Sequence, residues 1–183
     1  MNAMLWLMAS QGTMGAFDTL YYHEYRARLP AGGTRTRLEL VLHALRDFVY
    51  AVLFGTLPWW SWSGSWAYLL AVLLATEIAL TLADFVIEIE ARKPGDVFAG
   101  ERVTHGLMAI VYGAFLACLL PRLLEWRNGP TCFMPVQCDA PFLLRVALGL
   151  MAAGVFASGL RDLYAALGFP RGTFPWEPAR DRK

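Results

Sequence analysis

Six side chains able to hold metal ions recur along this chain with a fixed pattern. Glu39-x-x-x-His43 returns sixty-two residues later as Glu101-x-x-x-His105, and a single glutamate precedes each pair, Glu24 before the first and Glu88 before the second. A four-residue step puts each glutamate and its histidine on one side of a helix. Four carboxylates and two imidazoles supplied by four helices make up the donor set of a two-metal carboxylate site. Tyr50 and Tyr112 stand seven residues beyond His43 and His105, placed to pass an electron or a proton.

The donors sit inside a longer repeat. Residues 39–50 and 101–112 agree at Glu39/Glu101, Val41/Val103, His43/His105, Leu45/Leu107, Val49/Val111 and Tyr50/Tyr112. Upstream, Glu24, Ala27, Arg28 and Pro30 match Glu88, Ala91, Arg92 and Pro94. One helical hairpin is therefore present twice, over about residues 3–58 and 67–125, followed by a fifth helix over about 142–168 and a tail over 169–183.

Composition places these elements in a bilayer. Of 183 residues, 57% are hydrophobic and 17% charged, and mean hydropathy is +0.41, more apolar than a soluble domain. The apolar residues fall in blocks at 40–58, 66–89, 103–124 and 142–167, each near the roughly 20 residues a spanning helix needs. Residues 1–22 form a weaker fifth block, supported because its end matches the end of the third. The expected fold is an all-α integral membrane protein with five transmembrane helices, a four-helix core from the duplicated hairpin and one extra helix, in one domain over 1–183. Arginine and lysine gather between blocks one and two, between three and four, and in the tail. This bias sets the N-terminus outside and the C-terminus in the cytoplasm of a bacterial-type inner membrane. Trp59, Trp60, Trp62, Trp66 and Trp126 fall at the outer interface as anchors, and Cys132 and Cys138 share an outer loop where a disulfide is allowed.

With that topology the Glu and His residues of helices one to four converge toward the cytoplasmic end, apart from Glu77 further up and Glu125 at the outer end of helix four. Charged groups in spanning segments are costly and point to function. Asp47 lies one turn past His43 and Asp84 one turn before Glu88, positions from which carboxylates orient metal ligands. Arg46 offsets negative charge there, and His23, which has Ile87 as its counterpart, belongs to the outer shell. Helix five, poor in polar residues, reads as scaffold or as a surface for a membrane partner. Its small pairs Gly149/Ala153 and Gly154/Ser158 read as packing surfaces.

The alternation of a single Glu with a Glu-His pair resembles the ferritin-like di-iron carboxylate proteins, over about residues 13–112. The resemblance implies Glu24, Glu39, His43, Glu88, Glu101 and His105 as ligands of two metal ions. The spacing departs from that family: its pair is three residues apart and this one four, so convergence is an alternative to descent. Carboxylate and imidazole donors without thiolate favour iron, with manganese and zinc as alternatives. The expected activity is oxygen-dependent oxidation of a lipid-soluble substrate such as a lipid, isoprenoid or quinol, with an external electron donor and no nucleic acid. A metal transporter or sensor, and a non-catalytic subunit of a membrane complex, are the competing readings.

Overall fold

A computed structural model describes residues 1–92, 97–136 and 140–177. Pro94, Cys138 and the basic tail residues Arg180, Arg182 and Lys183 lie outside the described residues, and with them the Pro30/Pro94 match and the Cys132–Cys138 pairing. The fold is helical throughout: α1 (Asn2–Phe17), α2 (Arg37–Thr56), α3 (Ser65–Ala91), α4 (Ala99–Trp126) and α5 (Phe142–Ala166), with short strands β1 (Trp60–Trp62) and β2 (Phe133–Pro135).

Three of these helices, α3, α4 and α5, are long and apolar enough to cross a membrane. Their outward faces agree with that: Ile110, Leu143 and Leu150 are 70–79% exposed, a surface suited to lipid rather than water. By contrast, α2 carries Glu39, Arg46 and Asp47 within its 20 residues.

The end of α1 departs from regular α geometry. The chain continues from Phe17 directly into a π-helical stretch, Asp18–Ala27, closed by Arg28 in the left-handed region at φ 52°. Ten residues of π-helix are unusual, because this form normally appears as a single-turn bulge, frequently at functional sites.

The helices pack unequally. Contact is most extensive between α2 and α5, while α1 lies against α4 and α5, α2 also meets α3, and α3 touches α4 lightly. So α5 packs against one helix of the first hairpin on each side. At Gly159 the contact is close: a Cβ there would lie 2.9 Å from the Asp47 Cβ and 3.1 Å from the Ala44 carbonyl oxygen. The small residues singled out from the sequence do something else. A Cβ at Gly149 or Gly154 would meet nothing within 4 Å, so neither forms a helix contact.

One end of the bundle is an apolar plug containing Met4, Leu5, Leu53, Leu57, Leu70, Leu119 and Leu148. Next to it, β1 pairs antiparallel with β2, Trp60 opposite Pro135 and Trp62 opposite Phe133, so the tryptophan-rich loop is tied to the loop after α4. Gly64, at φ +62°, allows the close approach, since a Cβ would sit 2.6 Å from the Thr131 backbone nitrogen. The other end of the bundle holds the ionisable side chains.

Candidate metal centre

Glu39 and Glu101 lie in the first turns of α2 and α4, the equivalent place in each repeat, and both are fully buried. Between them lies the Arg92 side chain, from the residue that ends α3. Its Nε donates to Glu39 Oε1 at 3.0 Å and its Nη1 donates to Glu101 Oε1 at 2.7 Å. Glu88, one turn earlier on α3, approaches Nη1 at 3.5 Å. The other oxygen of Glu101 accepts the Phe98 backbone N–H at 3.2 Å, capping α4. Burial alone would lower the pKa of Arg92, but its hydrogen bonds to Glu39 and the charges of Glu39 and Glu101 outweigh it and hold the guanidinium charged. Arg92 read from sequence as a loop cation; it is instead a buried bridge between the two repeats.

The three histidines come together beside this bridge. His23 stacks on His43 with ring centroids 4.5 Å apart and planes 6° apart, and lies edge-on to His105 at 6.2 Å. Each repeated histidine faces an aspartate of the other repeat. His105 Nε2 is 3.0 Å from Asp18 Oδ2, on the π-helical stretch after α1, and His43 Nε2 is 3.2 Å from Asp84 Oδ2, on α3. Arg46 Nη1 donates to that same Asp84 oxygen at 2.7 Å. His43 Nδ1 faces Asp162 of α5 at 3.9 Å, and His105 Nδ1 faces Glu88 at 3.8 Å. Asp84 and Asp162 thus flank His43, and Asp47 packs beside Gly159 of α5.

The π-helical stretch decides which side chains of the first repeat enter the cluster. Five residues of α-helix turn a side chain about 140° away, whereas π-helix, with its i→i+5 bonding, stacks residues five apart nearly over one another. Asp18 and His23 are five apart, and His23 Nε2 reaches Asp18 Oδ2 at 3.3 Å and Glu101 Oε1 at 3.4 Å. The same change of phase directs Glu24 elsewhere: it takes an ion pair from Arg161 of α5 at 2.7 Å and a hydrogen bond from Trp176 Nε1 at 3.0 Å. Of the six expected ligands, then, Glu39, His43, Glu88, Glu101 and His105 share one cluster with His23, Asp18, Asp84 and Arg46, and Glu24 docks the chain's tail.

Several donor atoms in the cluster are buried without a hydrogen-bond partner among the described residues: Asp18 Oδ1, His23 Nε2, Glu39 Oε2, Asp84 Oδ1 and Glu88 Oε1. Buried polar atoms are normally satisfied. Asp18, His23 and His105 each offer one ligand atom, all within 4.8 Å of one another. Burial, and next the adjacent His43, hold the His23 pKa below its ordinary value. Asp18, Glu39, Asp84, Glu88 and Glu101 bring five carboxylates against the two guanidinium groups of Arg46 and Arg92 and the imidazoles of His43 and His105.

Comparison with protein-family models, curated proteins and solved structures returns no match. The reading of this site therefore rests on its own geometry.

A second polar chain starts near Arg46 and runs toward the apolar plug. Tyr50 donates to Glu77 Oε1 at 2.8 Å, Thr81 donates to the same oxygen at 2.8 Å, and Gln11 Nε2 donates to the Tyr50 hydroxyl at 3.3 Å. Tyr112 lies edge-on to Tyr50 with centroids 6.2 Å apart. Glu77, standing alone in sequence, is the acceptor that fixes Tyr50. Asp18 and Asp162 were the other residues that sequence phase did not select: α-helical phase placed the first on the wrong face, and the second is one of few polar residues on α5.

Proposed function

We propose that this cluster is the metal centre of an oxygen-dependent oxidoreductase in a bacterial-type inner membrane, acting on a lipid-soluble substrate such as a lipid, isoprenoid or quinol. The observation that carries the proposal is the Asp18–His23–His105 donor group, with an unpartnered buried oxygen on Asp18. Asp18 and His23 also line a largely apolar cavity. Two imidazoles and one carboxylate with open positions form a donor set used for non-haem ferrous iron, which supplies dioxygen chemistry when bound. His43 and Asp84 offer donors for a second ion of the pair that the repeat implies. Glu88, facing the second nitrogen of His105, orients that ring. Arg46 and Arg92 temper the negative charge, so that divalent ions rather than a larger positive charge complete the balance. Gln11 and Tyr50 of the Gln11–Tyr50–Glu77 hydrogen-bonded chain line the same cavity.

In this reading all five helices cross the bilayer, the N-terminus outside and the cluster near the cytoplasmic face, where a soluble electron donor has access. The strongest rival takes the cluster as structural glue in a non-catalytic subunit, and the Arg92 bridge between Glu39 and Glu101 is the observation in its favour. Oxygen uptake separates the two. Purified full-length protein in lipid nanodiscs, loaded with ferrous iron and supplied with a quinol, should consume oxygen in an iron-dependent way. Asp18→Asn and His105→Gln should each abolish that uptake while leaving the protein folded. Uptake that is absent from wild-type protein, or unchanged in both variants, would leave the structural reading standing.

A further inference from the structure

A cavity of about 320 Å³ lies between α1 with its π-helical extension, α2 and α5. It is elongated along the bundle. Its lining runs from His43 to Phe54 on α2 and from Met151 to Asp162 on α5, eleven residue steps in each case, or about 16 Å at 1.5 Å per step. The slot is kept open by missing side chains. Gly15 and Gly154 line it, and a Cβ at Gly154 would meet nothing within 4 Å, while one at Gly15 would touch only the Met108 terminal methyl at 3.7 Å. On its outward side the lining includes Leu20, 67% exposed, and the exposed Gly154, so the opening faces the apolar surface between α1 and α5.

The two ends differ chemically. The end toward the plug is bounded by Phe54 and Met151. The end toward the metal centre carries Asp18, Asp47 and Asp162 beside His23, His43 and Arg46, and the last two are already turned to Asp84, at 3.2 and 2.7 Å. An anionic group entering here would meet three carboxylates. A hydroxyl would meet Asp18 Oδ1, a buried acceptor without a hydrogen-bond partner among the described residues. Satisfying such an atom is worth more than an ordinary surface hydrogen bond.

We infer that this cavity binds a single straight long-chain primary alcohol, with its hydroxyl donating to Asp18 and its tail reaching toward Phe54 and Met151. The chain enters sideways from the bilayer between α1 and α5. This deepens the oxidoreductase reading by naming its substrate class, and it rests on that reading only for what happens to the head group.

The test uses full-length protein in nanodiscs and a diazirine-bearing analogue of 1-dodecanol, whose extended chain matches the length of the slot, with the matching dodecanoate as the anionic control. Cross-links mapped by mass spectrometry should fall on Phe54, Met108 or Met151. The dodecanoate analogue should label these sites about tenfold less at neutral pH. Gly154→Leu and, independently, Gly15→Leu should each reduce alcohol labelling about tenfold by filling the slot, and Gly149→Leu, on the same helix with equally open space, should leave it unchanged. Metal content measured on the same samples separates the two claims. Both slot-filling variants should keep the wild-type metal. Labelling that survives both slot-filling variants, that favours dodecanoate, or that falls only on the outer helix faces would overturn the inference while leaving the metal reading intact. Metal-free wild-type protein with the expected labelling would sink the oxidoreductase reading and leave the chain-binding site.

Discussion

Replacing Arg92 by glutamine removes a buried cation from between two carboxylates that are themselves fully buried. The structure sets the size of the effect. Three charge-assisted hydrogen bonds are lost, from Nε and Nη2 to Glu39 and from Nη1 to Glu101, and hydrogen bonds to charged groups are worth roughly 1.5–3 kcal/mol each. Breaking a buried ion pair from one side costs about 3–5 kcal/mol in general. An upper limit comes from protonation. Neutralising one glutamate with an ordinary pKa of about 4.3 costs about 3.7 kcal/mol at pH 7 and about 1 kcal/mol at pH 5. Arg92→Gln should therefore destabilise the protein by about 3–4 kcal/mol at pH 7 and by about 1–2 kcal/mol at pH 5, with the protonation limit setting the change between the two. The sign follows from linkage: the variant gains a proton on folding, so acid relieves it. The assay is reversible unfolding by SDS in mixed micelles, with a chelator present so that metal binding does not enter. In the double variant Arg92→Gln/Glu39→Gln, one of the stranded charges is gone, and at least about 1 kcal/mol of the loss at pH 7 should return through pairwise coupling. A single variant within about 0.5 kcal/mol of wild type at pH 7, or a loss equal at both pH values, would refute the bridge and the burial argument behind it.

Three further outcomes follow from the same contacts. Gly159→Leu drives a side chain into the Asp47 Cβ and the Ala44 carbonyl, and should destabilise the α2–α5 contact by about 1–3 kcal/mol, measured by the same SDS titration. Tyr50→Phe leaves Glu77 with the Thr81 hydrogen bond alone among the described residues, and should cost about 1–3 kcal/mol while metal content stays at the wild-type level. Glu24→Gln weakens the grip of Arg161 and Trp176, so limited proteolysis should cut the tail faster, again without loss of metal.

Much of the helical architecture was legible because hydropathy is additive over a segment. The blocks at 66–89, 103–124 and 142–167 coincide with α3, α4 and α5 to within a few residues. Glu39, His43, Glu88, Glu101 and His105, which the repeat singles out, lie in one cluster, because α2, α3 and α4 keep regular α phase through those positions. What the sequence hid has a single main cause. The first repeat leaves α geometry at Asp18, and a register computed at 100° per residue then assigns the wrong face to everything up to Ala27. Glu24, chosen by analogy with Glu88, turns to Arg161; Asp18 and His23, on different faces of an ideal α-helix, turn inward together. Arg92 was hidden for another reason. Its counterpart Arg28 stacks over the Trp176 ring at the edge of the fold, and nothing local distinguishes a loop arginine that folds back between two carboxylates from one that stays in water. Asp162 was one of few polar residues on an apolar helix, and only the close approach of α5 to α2 at Gly159 brings it to His43.

The most direct test of the central claim is elemental analysis of the full-length protein purified gently in detergent, set beside the variants Asp18→Asn, His23→Gln and His105→Gln. The geometry predicts one to two equivalents of a first-row metal, chiefly iron, in the wild type, a loss of at least one equivalent in each of the three variants, and no loss in Glu24→Gln. Wild-type protein that carries no metal and takes up none from added ferrous iron, or metal that persists when Asp18, His23 and His105 are each replaced, would contradict it.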